Sequence, residues 1–295
     1  MEMRRRSKGE KIFSVFNAAL MILLALFFLL PVWHVAMGSI SDPLKVSANT
    51  GLILWPLGKA TLGGYRLILQ NSFIFTSYMN TLIYVAGATL FSTFITILAA
   101  YVLSRQNVKL NKVFNFLIIF TMIFNGGLIP NYILVRNLGM LDTRWALIIP
   151  FTVAPYNIMI MRTSFQQIPE ELFDAAKIDG AGYAKILWDI VLPISKAILA
   201  VIILFYVIAN WNAWFNASLY LTDRNLYPLQ LTLREIVLLS TNNSVVADAD
   251  GADVMIFRPL IKYATIMISI IPMLIIYPFI QKYFVSGVMI GSVKG

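Results

Sequence analysis

Residues 169–193 read PEELFDAAKIDGAGYAKILWDIVLP, a polar, acid-bearing stretch set between apolar runs of membrane length. Pro169 suits the first position of a helix, and Glu170 and Glu171 fall in its first turn, where acids complement the helix dipole. Leu172, Ala175 and Ala176 then share one side at helical spacing, and Asp179-Gly180 breaks the helix into a turn. In a second amphipathic stretch Ile186, Leu187 and Ile190 alternate with Lys185 and Asp189, before Leu192-Pro193 bends the chain toward the next apolar run. Two readings stand for such a segment: a docking surface for a soluble partner, or an interfacial hairpin lying against the inner headgroups.

On either side of it, cutting the chain at its charges leaves six runs free of Asp, Glu, Lys and Arg, at 12–36, 78–103, 113–134, 145–161, 197–221 and 263–280. Most reach the roughly 20 apolar residues that a bilayer crossing needs. Backbone in lipid must satisfy its own hydrogen bonds, so these runs imply helices. With 59% of residues hydrophobic and 13% charged, and a mean hydropathy of +0.77, the expectation is an all-α polytopic membrane protein of six transmembrane helices. Its parts are a basic cytoplasmic N-terminus (1–11), a single transmembrane domain (12–280), a cytoplasmic loop (163–195), extracytoplasmic loops (37–77 and 222–262) and a cytoplasmic tail (281–295).

Charge sets the expected orientation. Arg4, Arg5, Arg6, Lys8 and Lys11 precede the first run, and Arg105, Lys109 and Lys112 flank another inner end. The first run is about 25 residues long without an obvious small-residue cleavage site, so it reads as an anchor and not a signal peptide. The net charge of +9 then belongs to membrane orientation, and no basic patch interleaved with aromatics points to nucleic acid.

Several chemistries drop out. The chain has no cysteine, which removes disulfides, iron–sulfur clusters and thiolate metal sites. His34 lies beside Trp33 near the outer end of the first run and reads as an interfacial residue. Asp248, Asp250 and Asp253 around Gly251 superficially look like a calcium loop but lack the later Glu that would close it, leaving a solvated loop tip. No run carries the carboxylate or cation that an ion-driven carrier usually holds near mid-bilayer, nor a His, Cys or carboxylate for general acid–base work. A non-catalytic transport protein with an external energy source is expected; the alternative is a stand-alone ion-coupled carrier or channel for a small polar solute.

Asn210, Trp211, Asn212, Trp214 and Asn216 crowd one end of the run 197–221. Their amides suit sugar hydroxyls and their indole faces suit the apolar side of a pyranose. Read as continuous helix, Asn210 with Trp214 and Asn212 with Asn216 form two neighbouring stripes that line a substrate path, or that join this helix to a partner. Asn125, with Gly126-Gly127 and Pro130, marks a weakened helix that contributes to the same cavity.

The segment 169–193 also carries a resemblance. Asp174-Ala175-Ala176, Gly180 four residues after Ala176, then Ile190, Leu192 and Pro193 resemble, position for position, the cytoplasmic signature loop of ABC-importer permeases: EAA, three residues, G, nine residues, I, one residue, LP. Asp174 replaces the usual Glu and keeps the carboxylate. The stretches FNGGLIPNYILVRNLGMLDT (124–143), NWNAWFNASLYLTDRNLYPLQLTLREI (210–236) and QKYFVSGVMIGSVKG (281–295) are similar to the carbohydrate branch, the maltose-type second permease and its relatives that import complex oligosaccharides. The resemblance implies a type I ABC-importer permease fold in a bacterial inner membrane, with both termini cytoplasmic. It implies a second, homologous permease subunit, an ABC ATPase dimer and an extracytoplasmic solute-binding protein as partners, and oligosaccharide or polysaccharide as substrate. ATP and Mg would be bound by the ATPase, with no cofactor in this chain; consistently, no G-x-x-x-x-G-K-[ST] loop occurs. It assigns ATPase coupling to Glu170, Glu171, Asp174, Ala175, Ala176, Asp179, Gly180, Ile190, Leu192 and Pro193. Import as the direction follows from the resemblance alone.

Overall fold

The structure is a computed structural model that describes residues 8–70, 72–105, 107–150, 152–239, 257, 259–275 and 278. Among these every element is helical: α1 Lys8–Ser39, α2 Pro43–Ala48, α3 Gly63–Gln70, α4 Ser72–Ser104, α5 Asn111–Ile123, α6 Leu128–Asn137, α7 Trp145–Ile148, α8 Pro155–Phe165 and α9 Glu170–Ile178. There follow α10 Tyr183–Ile194 and α11 Lys196–Trp211, α12 Phe215–Tyr220 and α13 Leu229–Leu239, and α14 Pro259–Ile275. Arg4 to Arg6, the Asp248–Asp253 loop tip and the tail 281–295 lie outside the described residues.

The chain divides into two units, one from residues 1–71 and 235–271, the other from 72–234 and 272–295. In the first, α1 is apolar on every side and its side chains from Ile12 to Leu29 are exposed, the pattern of a helix whose surroundings are lipid or another subunit. Its outer end is tied down. Trp33 Nε1 donates to the Leu54 carbonyl at 2.9 Å and His34 Nδ1 accepts the Ile53 N–H at 2.9 Å. His34 also meets the Tyr263 ring edge to face, so the lone histidine anchors the 49–57 loop. At the start of α3, a Cβ on Gly63 would collide with the Phe257 ring and one on Gly64 would lie 2.9 Å from Leu260 Cβ; the glycine pair permits that close crossing.

In the second unit α4 supplies the spine. Ser77, Thr81, Ala88, Ser92, Thr96 and Ala100 recur at helical spacing and are all buried, a small-residue seam against which α8 and α11 pack. Ile97, Tyr101, Phe165, Phe173, Ile186, Val191 and Ile202 close one core around the base of α4.

Length and composition make Lys8–Ser39 and Phe73–Ser104 able to cross a membrane alone, and the pairs α5–α6 and α10–α11 pass together. Three of the six uncharged runs are therefore not single helices. Run 113–134 turns by 115° between α5 and α6, where Gly127 takes φ +90°. Run 145–161 stops at Ile148 and restarts at Pro155, because Pro150 and Pro155 lack the N–H that helix continuation needs. Run 197–221 stops at Trp211 and restarts at Phe215, where the Asn212 amide turns back to the Ile208 carbonyl at 2.9 Å and competes with backbone pairing.

Candidate functional site

Two places in the second unit combine positioned polar groups with open surface. The first is the segment from Pro169. Its helix starts one residue later than expected, with Pro169 as the cap and Glu170 first, a shift within the usual fraying of helix ends. Phe173 and Ala176 face the core, while Glu171, Leu172, Asp174, Ala175 and Ile178 face out. Ala176 is thus separated from Leu172 and Ala175, which the helical-spacing reading had placed together. Burying Phe173 contributes about 1.5–3 kcal/mol to holding α9 in place. Outside, Asp174 accepts from Lys177 Nζ at 2.9 Å, and that hydrogen bond raises the ammonium's pKa.

The turn after α9 explains the glycine. The Ala181 N–H bonds to the Ala176 carbonyl at 2.9 Å and the Gly180 N–H to the Lys177 carbonyl at 3.0 Å, the double bond of a Schellman motif. This places Gly180 at φ +77°, with nothing within 4 Å of where a Cβ would sit. Backbone conformation, not space, requires glycine here. Asp179 caps the helix. Further on, Leu187–Val191 widens to a π-helix, and the Leu192 N–H reaches the Leu187 carbonyl. Pro193, immediately after, has no N–H to continue an α ladder. Leu192 is in the core, Ile190 is half-buried and Pro193 is exposed; beyond them the chain bends by 87° into α11.

Ile178 is 86% exposed, Tyr183 71% and Trp188 54%. Large apolar side chains offered at a loop tip mark a contact surface. None was singled out as a site residue from the sequence, although Ile178 and Tyr183 flank the recognised Asp179-Gly180 turn.

The second place is a cavity of about 240 Å³, lined from α4 by Tyr84, from α8 by Asn157, from α11 by Tyr206 and Asn210, and from the segments around them by Thr152, Asn216 and Pro228. Its rigid groups are fixed by hydrogen bonds. Tyr206 Oη pairs with Thr96 Oγ1 at 2.7 Å and accepts the Ala154 N–H at 3.2 Å, while Tyr84 Oη donates to the Leu226 carbonyl at 2.7 Å. The amides are less engaged. Asn210 Nδ2 lies 3.5 Å from Thr89 Oγ1, and the side chains of Asn157 and Asn216 have no hydrogen-bond partner among the described residues. The cavity is slightly smaller than ordinary ligand pockets of about 300–1,000 Å³.

The sequence cluster is split by this geometry. Asn210 and Asn216 meet at the cavity, although residues 212–214 are not helical and the two-stripe construction fails. Trp211 is buried edge-on against Tyr78, with ring centroids 6.0 Å apart. Asn212 is exposed, and Trp214 carries the Arg234 guanidinium 3.4 Å from its ring centroid. Asn125 is exposed, accepts the Gly127 N–H at 2.9 Å and does not line the cavity. Asn157 is 5% exposed; a lone amide within an apolar run was the signal for it.

A corner ties two loops of the same unit together. Asp142, at φ +57°, accepts from the N–H of Asp223 at 2.8 Å and from the N–H and hydroxyl of Thr222 at 2.9 and 2.6 Å. The Asp223 N–H first, then Thr222, hold its carboxyl below the usual range.

Residues 92–290 match the model of the family described as binding-protein-dependent transport system inner membrane component. Protein LplC of Bacillus subtilis (strain 168) is 36% identical over 98% of this chain and 97% of its own length. The polygalacturonan/rhamnogalacturonan transport system permease protein YtcP of the same organism is 37% identical over 97% of this chain and 99% of its own. Among solved structures, a chain from a bacterial ABC transporter involved in the import of the acidic polysaccharide alginate superposes with a TM-score of 0.86, at 33% identity over 96% of this chain and all of that one.

Proposed function

Because the chain belongs to the family of binding-protein-dependent transport system inner membrane components, we propose that it forms one half of the translocation pathway of an ATP-driven importer of oligosaccharide or polysaccharide. It couples to a separate ATPase through residues 169–193. The observation that carries the reading is α9 itself, locked to the core by Phe173 and Ala176 while Leu172, Ala175 and Ile178 stay uncovered. A helix held on one side and bare on the other transmits a push from a soluble partner. Its motion passes along α10 and through the bend at Ser195 into α11, which carries Tyr206 and Asn210 of the cavity.

A second, homologous permease completes the pathway, an extracytoplasmic solute-binding protein delivers the sugar, and an ABC ATPase dimer binds ATP and Mg. The chain itself contributes no catalytic step. In the membrane it makes six crossings, one for each of the uncharged runs 12–36, 78–103, 113–134, 145–161, 197–221 and 263–280, with N- and C-termini cytoplasmic. The names of the relatives and the amide-lined cavity both support a carbohydrate.

Extraction of the tagged chain in mild detergent tests this. A second polytopic permease and an ATPase are expected in stoichiometric amounts, with sugar uptake in proteoliposomes dependent on ATP. A stable chain purified alone that transports solute without ATP would instead establish a self-sufficient carrier or channel.

A further inference from the structure

Arg105 follows the last residue of α4 and is 9% exposed. Its guanidinium lies 3.5 Å from the ring centroid of Phe173 on α9 and 5.8 Å from that of Tyr101 on α4. Nη1 is 3.5 Å from both carboxylate oxygens of Glu170, and Nε donates to Ser104 Oγ at 3.3 Å. The Arg105 carbonyl accepts from the Asn111 amide, which also donates to the Leu103 carbonyl at 3.2 Å. A buried cation is costly unless it is paired. Here the guanidinium lies over the buried Phe173 ring, and Glu170, 63% exposed and at a long 3.5 Å, is the weaker partner.

We propose that Arg105 is a positioning residue that links the ATPase-facing helix α9 to α4, giving the permease a second transmission route besides the covalent one through α10 and α11. When α9 is displaced, Phe173 and Glu170 carry the guanidinium with them, and Arg105 is continuous with the α4 backbone. From there α4 is unbroken to Thr96, about 14 Å away at 1.5 Å per residue. The Thr96 hydroxyl holds the Tyr206 hydroxyl at 2.7 Å, and Tyr206 lines the cavity. Both routes therefore arrive at one side chain, Tyr206 reached from α11 by the chain and from α4 by its hydroxyl. Arg105 suits the task because a planar guanidinium stacks on a ring and reaches a carboxylate at once, which an ammonium does not.

The inference rests on the assignment of ATPase docking to α9. Its test uses the assembled transporter in proteoliposomes, reading sugar imported per ATP hydrolysed and, separately, ATPase retained per permease on purification. Arg105→Lys is expected to retain the ATPase and to lower import per ATP by about ten-fold, within the range of ordinary coupling energies. Arg105→Ala lowers it at least as far, and Glu170→Gln by less than about two-fold, as for an exposed pair. Import per ATP at the wild-type level in both Arg105 variants overturns the proposal. So does an Arg105→Ala protein that fails to assemble while Arg105→Lys couples normally, which would give Arg105 a folding role only. Failure of the docking assignment has its own signature: Ala175→Arg, on the outward face, would then retain the ATPase with normal coupling.

Discussion

The segments 169–193 and 210–216 are each polar stretches next to apolar helix, the first marked by the spacing of its signature and the second by helical spacing alone. They fared differently. In the first, the spacing of the signature became geometry: Gly180 closes a Schellman turn, and the step from Ile190 to Pro193 marks a π-turn and an 87° bend. In the second, spacing misled, because α11 ends at Trp211 and four-residue intervals across a break bring nothing together. Periodicity holds only while the helix does, and motif spacing holds across breaks because the breaks are part of the motif.

Substitutions put that contrast to the test. The largest effect is expected from Phe173→Ala, since emptying a fully buried ring site costs about 3–5 kcal/mol. Limited proteolysis of the purified complex should then cut within 163–195, whereas Trp211→Phe, conserving the packing on Tyr78, should leave the pattern unchanged. Next comes Gly180. With open space but φ +77°, Gly180→Val should lose about 1–2 kcal/mol of turn stability, and Gly180→Asn, bulkier than alanine yet tolerant of this region, should retain more sugar-stimulated ATPase activity than Gly180→Ala. A ranking by size alone would refute the conformational explanation.

In the second segment the effect should be selective. Asn157→Leu or Asn216→Leu removes an unengaged cavity amide and is expected to weaken apparent sugar affinity by about three- to ten-fold, the equivalent of one ordinary hydrogen bond. Asn212→Leu, turned away from the cavity, should leave uptake unchanged. The smallest effect belongs to Asp142. Its carboxyl is held low by Asp223 and Thr222, so its contribution is present above the unfolded carboxylate pKa and is lost as pH falls through the depressed folded value. The protection factors for hydrogen exchange at Thr222 and Asp223, corrected for the intrinsic pH dependence of exchange, should fall on acidification in the wild type and stay level with pH in Asp142→Asn.

How much was legible follows from where the information sits. An all-helical membrane chain could be read from charge-free runs, since lipid leaves the backbone no other choice. The breaks inside three runs could not be read from charge. Proline and glycine mark two of them, at Pro150, Pro155 and Gly126-Gly127, and Asn212 the third, and a hydropathy pattern is blind to all of these. Trp211 looked like a sugar platform because indole suits sugars, but its place on α11 turns it toward Tyr78. Arg105 was visible only as one of three positive charges flanking an inner end; its partners, Glu170 and Phe173, lie more than 60 residues away along the chain.

We propose that the outward face of α9 is where an ATPase takes hold. Ile178, 86% exposed, sits on that face outside the core, so Ile178→Asp should leave folding and membrane insertion intact. Binding of the ATPase to detergent-solubilised permease carrying Ile178→Asp is the direct test. The expected result is at least about a ten-fold loss of affinity, as when a charge enters an apolar contact. Wild-type affinity, with sugar uptake undiminished, would contradict it.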